Sequence, residues 1–460
     1  MKIPVNIALF FSALCFLISC KTNTKEKADG VVTNIDTAKI DGHPAWIMQG
    51  NIYEVNVRQY SPEGTFKAFE ASLQRLKDMG VQTLWFMPIT PISLVDRKGV
   101  LGSYYAASDY VSVNPEFGTM DDWKSLVKKC HELGFKVITD WVPNHTGADH
   151  RWLTDHPDFY KKDPKTGKAA YVYDWTDTRK LDYSNPALQD SMIGCMKYWI
   201  TNSDIDGFRC DVAGEVPDEF WKKCIPELRK MKNIFMLAEG NKPELQSDGF
   251  DATYTWNEFA MLKMIAKGER PAFAFDSVVQ KINAEFPANS LLMYFTSNHD
   301  ENSWNKADYG TTPGTSHAPF AVLTQTMGKS VPLIYSGQEE PFLDSISFFY
   351  KDTILFGKYA RAPFYKTLLN LRMENPALAA NAAFTKIKSS NDAAVYAYTR
   401  QVGARKVLVL LNLSNKLQNF TLTGAAIAGR PKNVFTGADE ELKDDQSFKL
   451  DGWGYTVYSY

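Results

Sequence analysis

The length, composition and charge of the chain exclude several classes of protein. At 460 residues the chain is too long for one small core, so two or three domains are expected. A formal net charge of −2 gives no electrostatic basis for binding nucleic acid or an anionic membrane surface. Aromatic residues make up 13% of the chain, and besides filling a core, their flat apolar faces with polar edges suit sugar rings.

The N-terminus has the features of an export signal. Lys2 is followed by an apolar run over residues 3–18, which is too short to span a membrane comfortably. The run ends in LISC, residues 17–20, and polar residues follow at once. A small residue before Cys20 resembles a bacterial lipobox, so residues 1–20 are predicted to be a lipoprotein signal peptide with Cys20 as the lipid attachment site. The mature chain would be exported and lipid-anchored to a bacterial membrane, at the periplasmic face or the cell surface.

Short apolar runs and amphipathic stretches alternate beyond a polar, flexible tether at residues 21–45. Apolar runs of this kind are typical of parallel strands covered by helices on both faces. Helices are predicted over 65–79, 120–134 and 186–202. Eight strands are predicted, and together with the helices they indicate a (β/α)8 TIM barrel at residues 46–380. The strands lie at 51–57, 83–89, 136–142, 206–211, 234–239, 250–254, 291–298 and 331–337.

Two segments depart from the pattern of the barrel. The connection between the third and fourth strands is longer than one helix requires, and residues 146–185 are therefore predicted to be a short inserted B domain. After residue 380 the pattern changes to short alternating runs such as AVYAYTR (394–400) and KVLVLLNLS (406–414). Such runs predict an all-β domain, here a sandwich at residues 381–460.

Ionisable side chains collect at the predicted C-terminal ends of the strands. Each of them alone has a structural explanation, such as a helix cap or an ion pair. The C-terminal ends of barrel strands meet at one rim, however, and active sites of TIM barrels are built there. The convergence therefore predicts an active site formed by Asp140, His145, Arg209, Asp211, Glu239, His299 and Asp300.

Four segments that carry these residues resemble a known family. In order and spacing, DWVPNH, GFRCDVA, LAEG and TSNHDEN are similar to the four signature regions of the α-amylase superfamily, glycoside hydrolase family 13. The flanking segments GVQTLWFMPITPI, GSYYAASDYVSVNPEFGT and IYSGQE resemble further parts of it. The resemblance spans residues 50–375 and implies a barrel with a B domain after the third strand and a C-terminal β-domain.

The resemblance implies a role for each carboxylate. Asp211 matches the nucleophile, Glu239 the general acid/base, and Asp300 the carboxylate that grips sugar hydroxyls and stabilises the transition state. A retaining glycosidase needs one carboxyl group to attack the anomeric carbon and another, about 5 Å away, to protonate the leaving oxygen. We expect Arg209 to keep Asp211 ionised, and burial and neighbouring carboxylates to keep Glu239 protonated.

The resemblance also implies substrate-binding residues. His145 and His299 match a pair that hydrogen-bonds the sugar in the cleavage subsite. Tyr105 matches a tyrosine that stacks on the same ring, with Tyr104 as the alternative. Asp140 lies inside its strand and is expected to be a structural acceptor. Several tryptophans are possible platforms for outer sugars, although packing explains each of them as well: Trp141, Trp152, Trp175 and Trp304.

The chain departs from the resemblance where many relatives bind a structural calcium ion. Asn144 matches one calcium ligand, but a family aspartate falls at Lys180, and a family histidine falls at Glu215. Calcium takes several oxygen ligands, and a lysine would replace the ion, so we expect this calcium site to be absent or altered. A metal elsewhere, for example at residues 149–158, stays open, and no cofactor is expected to be required for the chemistry.

The leading prediction is a retaining hydrolase of α-1,4-glucosidic bonds in starch, glycogen or maltooligosaccharides. The short B domain favours an open cleft and hence an endo-acting α-amylase. A glucanotransferase, a sucrose- or trehalose-processing enzyme or an exo-α-glucosidase would use the same site. A non-catalytic glucan-binding surface protein is disfavoured because the three carboxylates are retained. The expected partners are thus an α-glucan and, through the lipid, a membrane.

Overall fold

The computed structural model describes Met1 and residues 37–305, 316–342 and 344–460. The predicted signal peptide, Cys20 and most of the predicted tether lie outside the described residues. Within the described ranges, no helix is long and apolar enough to cross a membrane.

Eight parallel strands form the barrel, and each falls within a stretch predicted from the sequence. They are β1 Ile52–Val55, β2 Thr83–Phe86, β3 Lys136–Trp141, β4 Gly207–Cys210, β5 Phe235–Ala238, β6 Ala252–Tyr254, β7 Leu291–Met293 and β8 Leu333–Tyr335. The order β7-β6-β5-β4-β3-β2-β1-β8 closes on itself, because Leu292 bridges Ser330 and the Leu333 amide donates to the Tyr294 carbonyl at 2.9 Å. The predicted TIM barrel is confirmed.

Burial on both faces explains why the strands are continuously apolar. In β2, Phe86 faces outward and contacts Trp123 of the helix Met120–Glu132, with ring centroids 5.0 Å apart. Trp85 faces the opposite way and packs with Ile138 and Leu237 of other strands. The barrel interior is therefore a packed core, and polar side chains can collect only at its ends.

Helices cover the barrel much as predicted, with shifts at their ends. The predicted helix over 65–79 is divided into Phe66–Glu70 and Leu73–Met79, and the helix predicted over 186–202 is Pro186–Ser203. Helix Met120–Glu132 begins at a capping box in which Thr119 and Asp122 exchange side-chain and backbone hydrogen bonds, a common helix start. The remaining α-helices are Val57–Tyr60, Trp152–Asp155, Asp218–Arg229, Pro243–Ser247, Trp256–Ala266, Phe275–Glu285, His299–Asn305, His317–Thr326 and Ala362–Glu374.

An inserted segment separates β3 from β4, as predicted. Its strands His145–Gly147 and Thr178–Lys180 pair antiparallel, with His145 opposite Lys180. We call this pair of strands the B ladder. Because it begins only four residues after β3 ends, the ladder stands directly above the C-terminal rim of the barrel.

The C-terminal region is an antiparallel sheet of seven strands. One face of it, including Tyr398 and Val409, packs with Phe320 of a barrel helix. The opposite face, including Leu408, packs with Phe420. Phe420 lies in a part of the sheet that pairs with the rest only between residues 388–389 and 422–423. The predicted all-β domain is confirmed, and its strands are Ala383–Ser389, Val395–Val402, Arg405–Asn412, Gln418–Thr423, Lys432–Asn433, Ser447–Leu450 and Tyr455–Ser459.

Candidate active site

A cavity of about 410 Å³ lies at the C-terminal ends of the barrel strands, within the size range of small-ligand sites. Arg209 lies beneath it with no exposed surface. A cavity of about 480 Å³ near β7 and residues 380–384 is lined by none of the predicted site residues. The smaller cavity is the candidate active site, and it brings together Tyr105, His145, Asp211, Glu239, His299 and Asp300.

The buried Arg209 guanidinium on β4 joins carboxyl groups from neighbouring strands. Its Nη1 donates to Asp140 Oδ1 on β3 and to Asp211 Oδ1, each at 2.9 Å. Its Nη2 lies 3.1 Å from Glu239 Oε1 after β5, and its Nε donates to the Tyr254 hydroxyl at 3.0 Å. Asp140 is therefore a structural acceptor that holds Arg209. The same cation is shared by both predicted catalytic carboxyl groups.

The backbone turn after Asp211 shapes the position of Glu239. Val212 has a φ of 43°, which is an outlier for a β-branched residue. Its N–H donates to Glu239 Oε2 at 2.7 Å. Strained backbone of this kind is a feature of functional sites, and here it supplies a hydrogen-bond donor to the second carboxyl group.

The environments of Asp211 and Glu239 shift the two pKa values in opposite directions. Burial and the nearby Glu239 raise the pKa of Asp211 well above its usual range, although Arg209 opposes this shift. Burial also acts to raise the pKa of Glu239, but Arg209, the Val212 N–H and the charge of His299 outweigh burial and leave this pKa below its usual value. These directions are opposite to those that an ionised Asp211 and a protonated Glu239 would need. One guanidinium serves three carboxyl groups, and Glu239 also has the Val212 N–H as a donor.

His299 lies between two carboxyl groups on one side of the cavity. Its Nδ1 is 2.6 Å from Glu54 Oε1, and its Nε2 is 2.8 Å from the Tyr105 hydroxyl and 3.4 Å from Asp300 Oδ2. Burial alone would lower the pKa of His299, but Asp300 and Glu54 raise it to about 9. The ring is therefore positively charged at neutral pH, and both of its nitrogens donate.

Glu54 is a residue of this site that the sequence analysis missed. It lies in β1 with no exposed surface, and burial raises the pKa of its carboxyl group, while His299 opposes the shift. The available signal was a carboxyl group inside the apolar run NIYEVNV, because such a group is rarely buried without a partner.

His145 lies on the other side of the cavity, at the start of the B ladder. The Lys180 ammonium donates a hydrogen bond to Asn144 Oδ1. The Asn144 amide nitrogen therefore faces His145 Nδ1, at 3.2 Å. Nδ1 then accepts, and this network assigns the ring proton to Nε2. Nε2 is buried and has no hydrogen-bond partner among the described residues. Burial, with the Lys180 ammonium, lowers the pKa of His145 to about 3, so this ring is neutral.

Tyr105, and not Tyr104, lines the cavity. The Tyr105 ring is stacked on His299 with centroids 5.4 Å apart, and its hydroxyl donates to Asp140 Oδ2 at 3.1 Å. The Tyr104 hydroxyl instead donates to Asn56 at 3.0 Å. Of the tryptophans, Trp175 and Trp304 line the cavity, whereas Trp141 and Trp152 are packed in the core.

The residues around Asn144 differ from the calcium site that the resemblance implies. The Asn144 oxygen accepts a hydrogen bond from the Lys180 ammonium, and Glu215 ends the short 3-10 helix Ala213–Glu215. Within the described ranges, no group of three or more His, Cys, Asp or Glu residues could hold a metal. A lysine charge therefore stands where the resemblance would place the ion.

The loop at residues 94–103 connects two walls of the cavity. On one side, Lys98 Nζ donates to the Asp174 carbonyl at 3.3 Å, next to Trp175. On the other side, the Leu101 amide donates to the Phe349 carbonyl at 3.0 Å. Lys98, Asp174 and Phe349 line the cavity, so the loop is bonded to residues of two of its walls.

The sequence as a whole is similar to known carbohydrate-active enzymes. It matches the alpha amylase catalytic domain over residues 26–179 and 163–392. It is 25% identical to the alpha-amylase MalA of Haloarcula japonica over 394 residues, which cover 81% of this chain and 56% of the relative. It is also 25% identical to a cyclomaltodextrinase of Thermoanaerobacter pseudethanolicus over 380 residues, covering 77% of this chain and 64% of the relative. The chain thus spans less than two thirds of the length of these relatives.

Solved structures agree over nearly the whole chain. A maltogenic alpha-amylase from Thermotoga neapolitana has a TM-score of 0.82 and 29% identity, with 90% of this chain and 99% of that chain covered. An alpha-amylase from Lactobacillus plantarum has a TM-score of 0.79 and 31% identity, with the same coverage of 90% and 99%.

Proposed function

Because the chain belongs to the α-amylase family, glycoside hydrolase family 13, and is a glycoside hydrolase of the amylase type, we propose that it cleaves internal α-1,4-glucosidic bonds of starch, glycogen or maltooligosaccharides with retention of configuration. One observation supports this proposal most strongly. Asp211, Glu239 and Asp300 line a single cavity, and two of them contact the same buried arginine.

The proposed reaction has two steps. In the first, Asp211 attacks the anomeric carbon and forms a glycosyl ester, while Glu239 gives a proton to the departing glycosidic oxygen. In the second, Glu239 takes a proton from water, and the water oxygen displaces Asp211 from the anomeric carbon. Asp300, whose side chain is 37% exposed, is available to hold sugar hydroxyls throughout.

The first step needs an ionised Asp211 and a protonated Glu239, whereas in the free site the pKa of Asp211 is raised and that of Glu239 is lowered. Both carboxyl groups contact Arg209, so a change in the charge of one affects the other. Positive charge that develops on the anomeric carbon favours an anionic Asp211. The leaving oxygen then competes with the Val212 N–H for Glu239. We infer that substrate, rather than Arg209 alone, sets the protonation that catalysis requires.

A second candidate is exo-action or glycosyl transfer at the same site. The loop at residues 94–103, which is bonded to the cavity-lining Asp174 and Phe349, favours cleavage near a chain end over cleavage inside a long chain. Relatives named as a cyclomaltodextrinase and a maltogenic alpha-amylase point in the same direction.

The product profile from soluble starch and from maltoheptaose tests these alternatives, with Asp211→Asn as the matched inactive variant. A ladder of short maltooligosaccharides that is abolished in the variant supports endo-hydrolysis with Asp211 as nucleophile. Glucose or maltose alone from the first time point supports exo-action, and products longer than the substrate support transfer. Equal activity of variant and wild type would overturn the assignment of Asp211.

We further propose that the enzyme is exported and held to a membrane through a lipid on Cys20, at the periplasmic face or the cell surface. The apolar run at residues 3–18 and the LISC segment support this proposal. Radiolabelled palmitate should label the wild type but not Cys20→Ala, and the variant should appear in the soluble fraction. A soluble, unlabelled wild type would refute it.

A further inference from the structure

We propose that Glu54 is a positioning residue for bond cleavage, which holds the His299 ring so that both of its nitrogens donate and Nε2–H, which the Tyr105 hydroxyl accepts in the free site, is available to a sugar hydroxyl beside Asp300. The inference rests on the proposed function of the cavity. Glu54 does not line the cavity, so it acts only through His299.

The hydrogen-bond pattern around the ring is satisfied when each ring nitrogen carries a proton. The Tyr105 hydroxyl donates to Asp140 Oδ2 at 3.1 Å, so its oxygen is left to accept from His299 Nε2 at 2.8 Å. On the far edge of the ring, the partner of Nδ1 is Glu54 Oε1 at 2.6 Å, which accepts when the carboxyl is ionised. Two acceptors at opposite edges define a doubly protonated imidazolium.

The charge balance around the ring favours the same form. Among the described residues, Arg209 is the other cation of this cluster, and it contacts the carboxyl groups on the β3, β4 and β5 side. His299 supplies positive charge on the β1 and β7 side, where Glu54 and Asp300 contact it. The charged or titratable groups that interact with His299 come from several elements and include Glu54, Tyr105, Asp140, Arg209, Glu239 and Asp300.

Glu54 is also well placed to fix the direction of the ring. It belongs to β1, which pairs with β2 and β8 inside the closed sheet. The ring itself is stacked on Tyr105 and contacts Trp85 edge-on. A carboxylate on a rigid strand thus holds Nδ1, and a charge-assisted donor is presented at Nε2, where it is about twice as strong as a neutral one.

Glu54→Gln tests the role, because it keeps the shape and a hydrogen-bond acceptor but removes the charge. We expect kcat/KM on maltoheptaose to fall about 10- to 100-fold at about pH 7.5. Most of the loss should be recovered at about pH 5.5, where an unassisted imidazole is protonated. The decrease should appear mainly in kcat, because the donor acts on the transition state.

Two controls separate this role from general damage to the fold. Glu258→Gln changes another buried carboxyl group, on the helix Trp256–Ala266 and away from the cavity, and should leave the alkaline limb of the pH profile unchanged. In the double variant Glu54→Gln/His299→Gln, activity should be no lower than in His299→Gln alone, because Glu54 acts through that ring.

The proposal is overturned if Glu54→Gln lowers activity by the same factor at every pH. It is also overturned if, in the double variant, the full loss of activity caused by Glu54→Gln is added to that caused by His299→Gln. A readout that needs no activity is the ¹⁵N spectrum of histidine-labelled protein at about pH 7.5, assigned with His299→Gln. Two protonated ring nitrogens in the wild type and one in Glu54→Gln support the role. An inactive wild type that shows this spectrum would refute the proposed function and leave the inference about the ring standing.

Discussion

His145 and His299 line the same cavity, and each side chain belongs to a residue that is only 1% exposed. His145 has an amide at Nδ1, and that amide is held by the Lys180 ammonium. His299 has the Glu54 carboxylate at Nδ1. The pKa of His145 is lowered to about 3, whereas the pKa of His299 is raised to about 9.

Burial lowers the pKa of both rings, so the carboxylates beside His299, which outweigh burial there, decide the difference between the two. The B ladder brings an ammonium group to its side of the cavity, and β1 brings a carboxylate to the other. One residue type therefore supplies a neutral donor at one edge of the proposed sugar site and a cationic donor at the opposite edge. Arg209 lies between the two sides and balances the carboxyl groups that they share.

The largest effect is expected from removing that central cation. Arg209→Met would leave Asp140, Asp211 and Glu239 without their common partner, and breaking a buried ion pair in this way costs about 3–5 kcal/mol. Urea unfolding should show this loss in the free energy of unfolding, together with loss of activity. Arg179→Met removes a partly exposed arginine that pairs with Asp96 at 2.7 Å and should cost less than about 1 kcal/mol. Similar costs for the two variants would contradict the central role of Arg209.

Replacing each histidine by glutamine tests the difference between the two donors directly. His299→Gln exchanges a cationic donor for a neutral one, and we expect kcat/KM on maltoheptaose to fall about 10- to 100-fold, since hydrogen bonds of charged groups contribute about 1.5–3 kcal/mol. His145→Gln replaces one neutral donor with another, so kcat/KM on maltoheptaose should fall less than about 10-fold. Equal losses at neutral pH would remove the distinction between the two sides.

The barrel and the rim of the site were predictable because both depend on local pattern. Continuous apolar runs identify the parallel strands, and the polar residues that end them must meet at one rim. The break between residues 70 and 73 in the first predicted helix was not visible, because the amphipathic pattern continues across it. The two parts of the C-terminal sheet are joined at residues 388–389. This arrangement depends on which strands pair, and the alternation of polar and apolar side chains does not specify the pairing.

The charge states in the site were not predictable, because they depend on contacts between distant residues. Arg209 beside Asp211 is visible in the sequence, but its equal contact with Asp140 joins residues 69 positions apart. Glu54 and His299 are 245 positions apart. The sequence analysis assigned Arg209 to Asp211 alone, whereas in the structure its guanidinium also contacts Asp140 and Glu239.

The two rings should give opposite dependences of stability on pH. The folded-state pKa of His299 is raised to about 9, so its contribution is complete below the unfolded value of about 6.5 and is lost as the pH rises through about 9. The folded-state pKa of His145 is lowered to about 3, so its contribution is present above about pH 6.5 and is lost as the pH falls toward 3.

Thermal unfolding across pH, compared with wild type, measures these contributions. In wild type, the Tm should decrease as the pH rises from about 6.5 to 9, and this decrease should be smaller in His299→Gln. The Tm should also decrease as the pH falls below about 6.5, and that decrease should be smaller in His145→Gln. The catalytic pH profile should agree, with an alkaline limb near pH 9 in wild type and His145→Gln but not in His299→Gln. Parallel pH dependences in both variants would show that the rings do not differ in charge.

A smaller effect than that of Arg209→Met is expected on the B ladder, where the partly buried Lys180 holds Asn144. Lys180→Met leaves the buried Asn144 oxygen without this donor and should cost about 1–3 kcal/mol. Lys161→Met, which removes a 57% exposed lysine paired with Asp182 at 3.8 Å, should cost less than about 0.5 kcal/mol. A calcium chelator should leave the Tm of the wild type unchanged, because the ammonium already takes the oxygen that the ion would need. If chelation lowered that Tm, a metal and not Lys180 would hold Asn144.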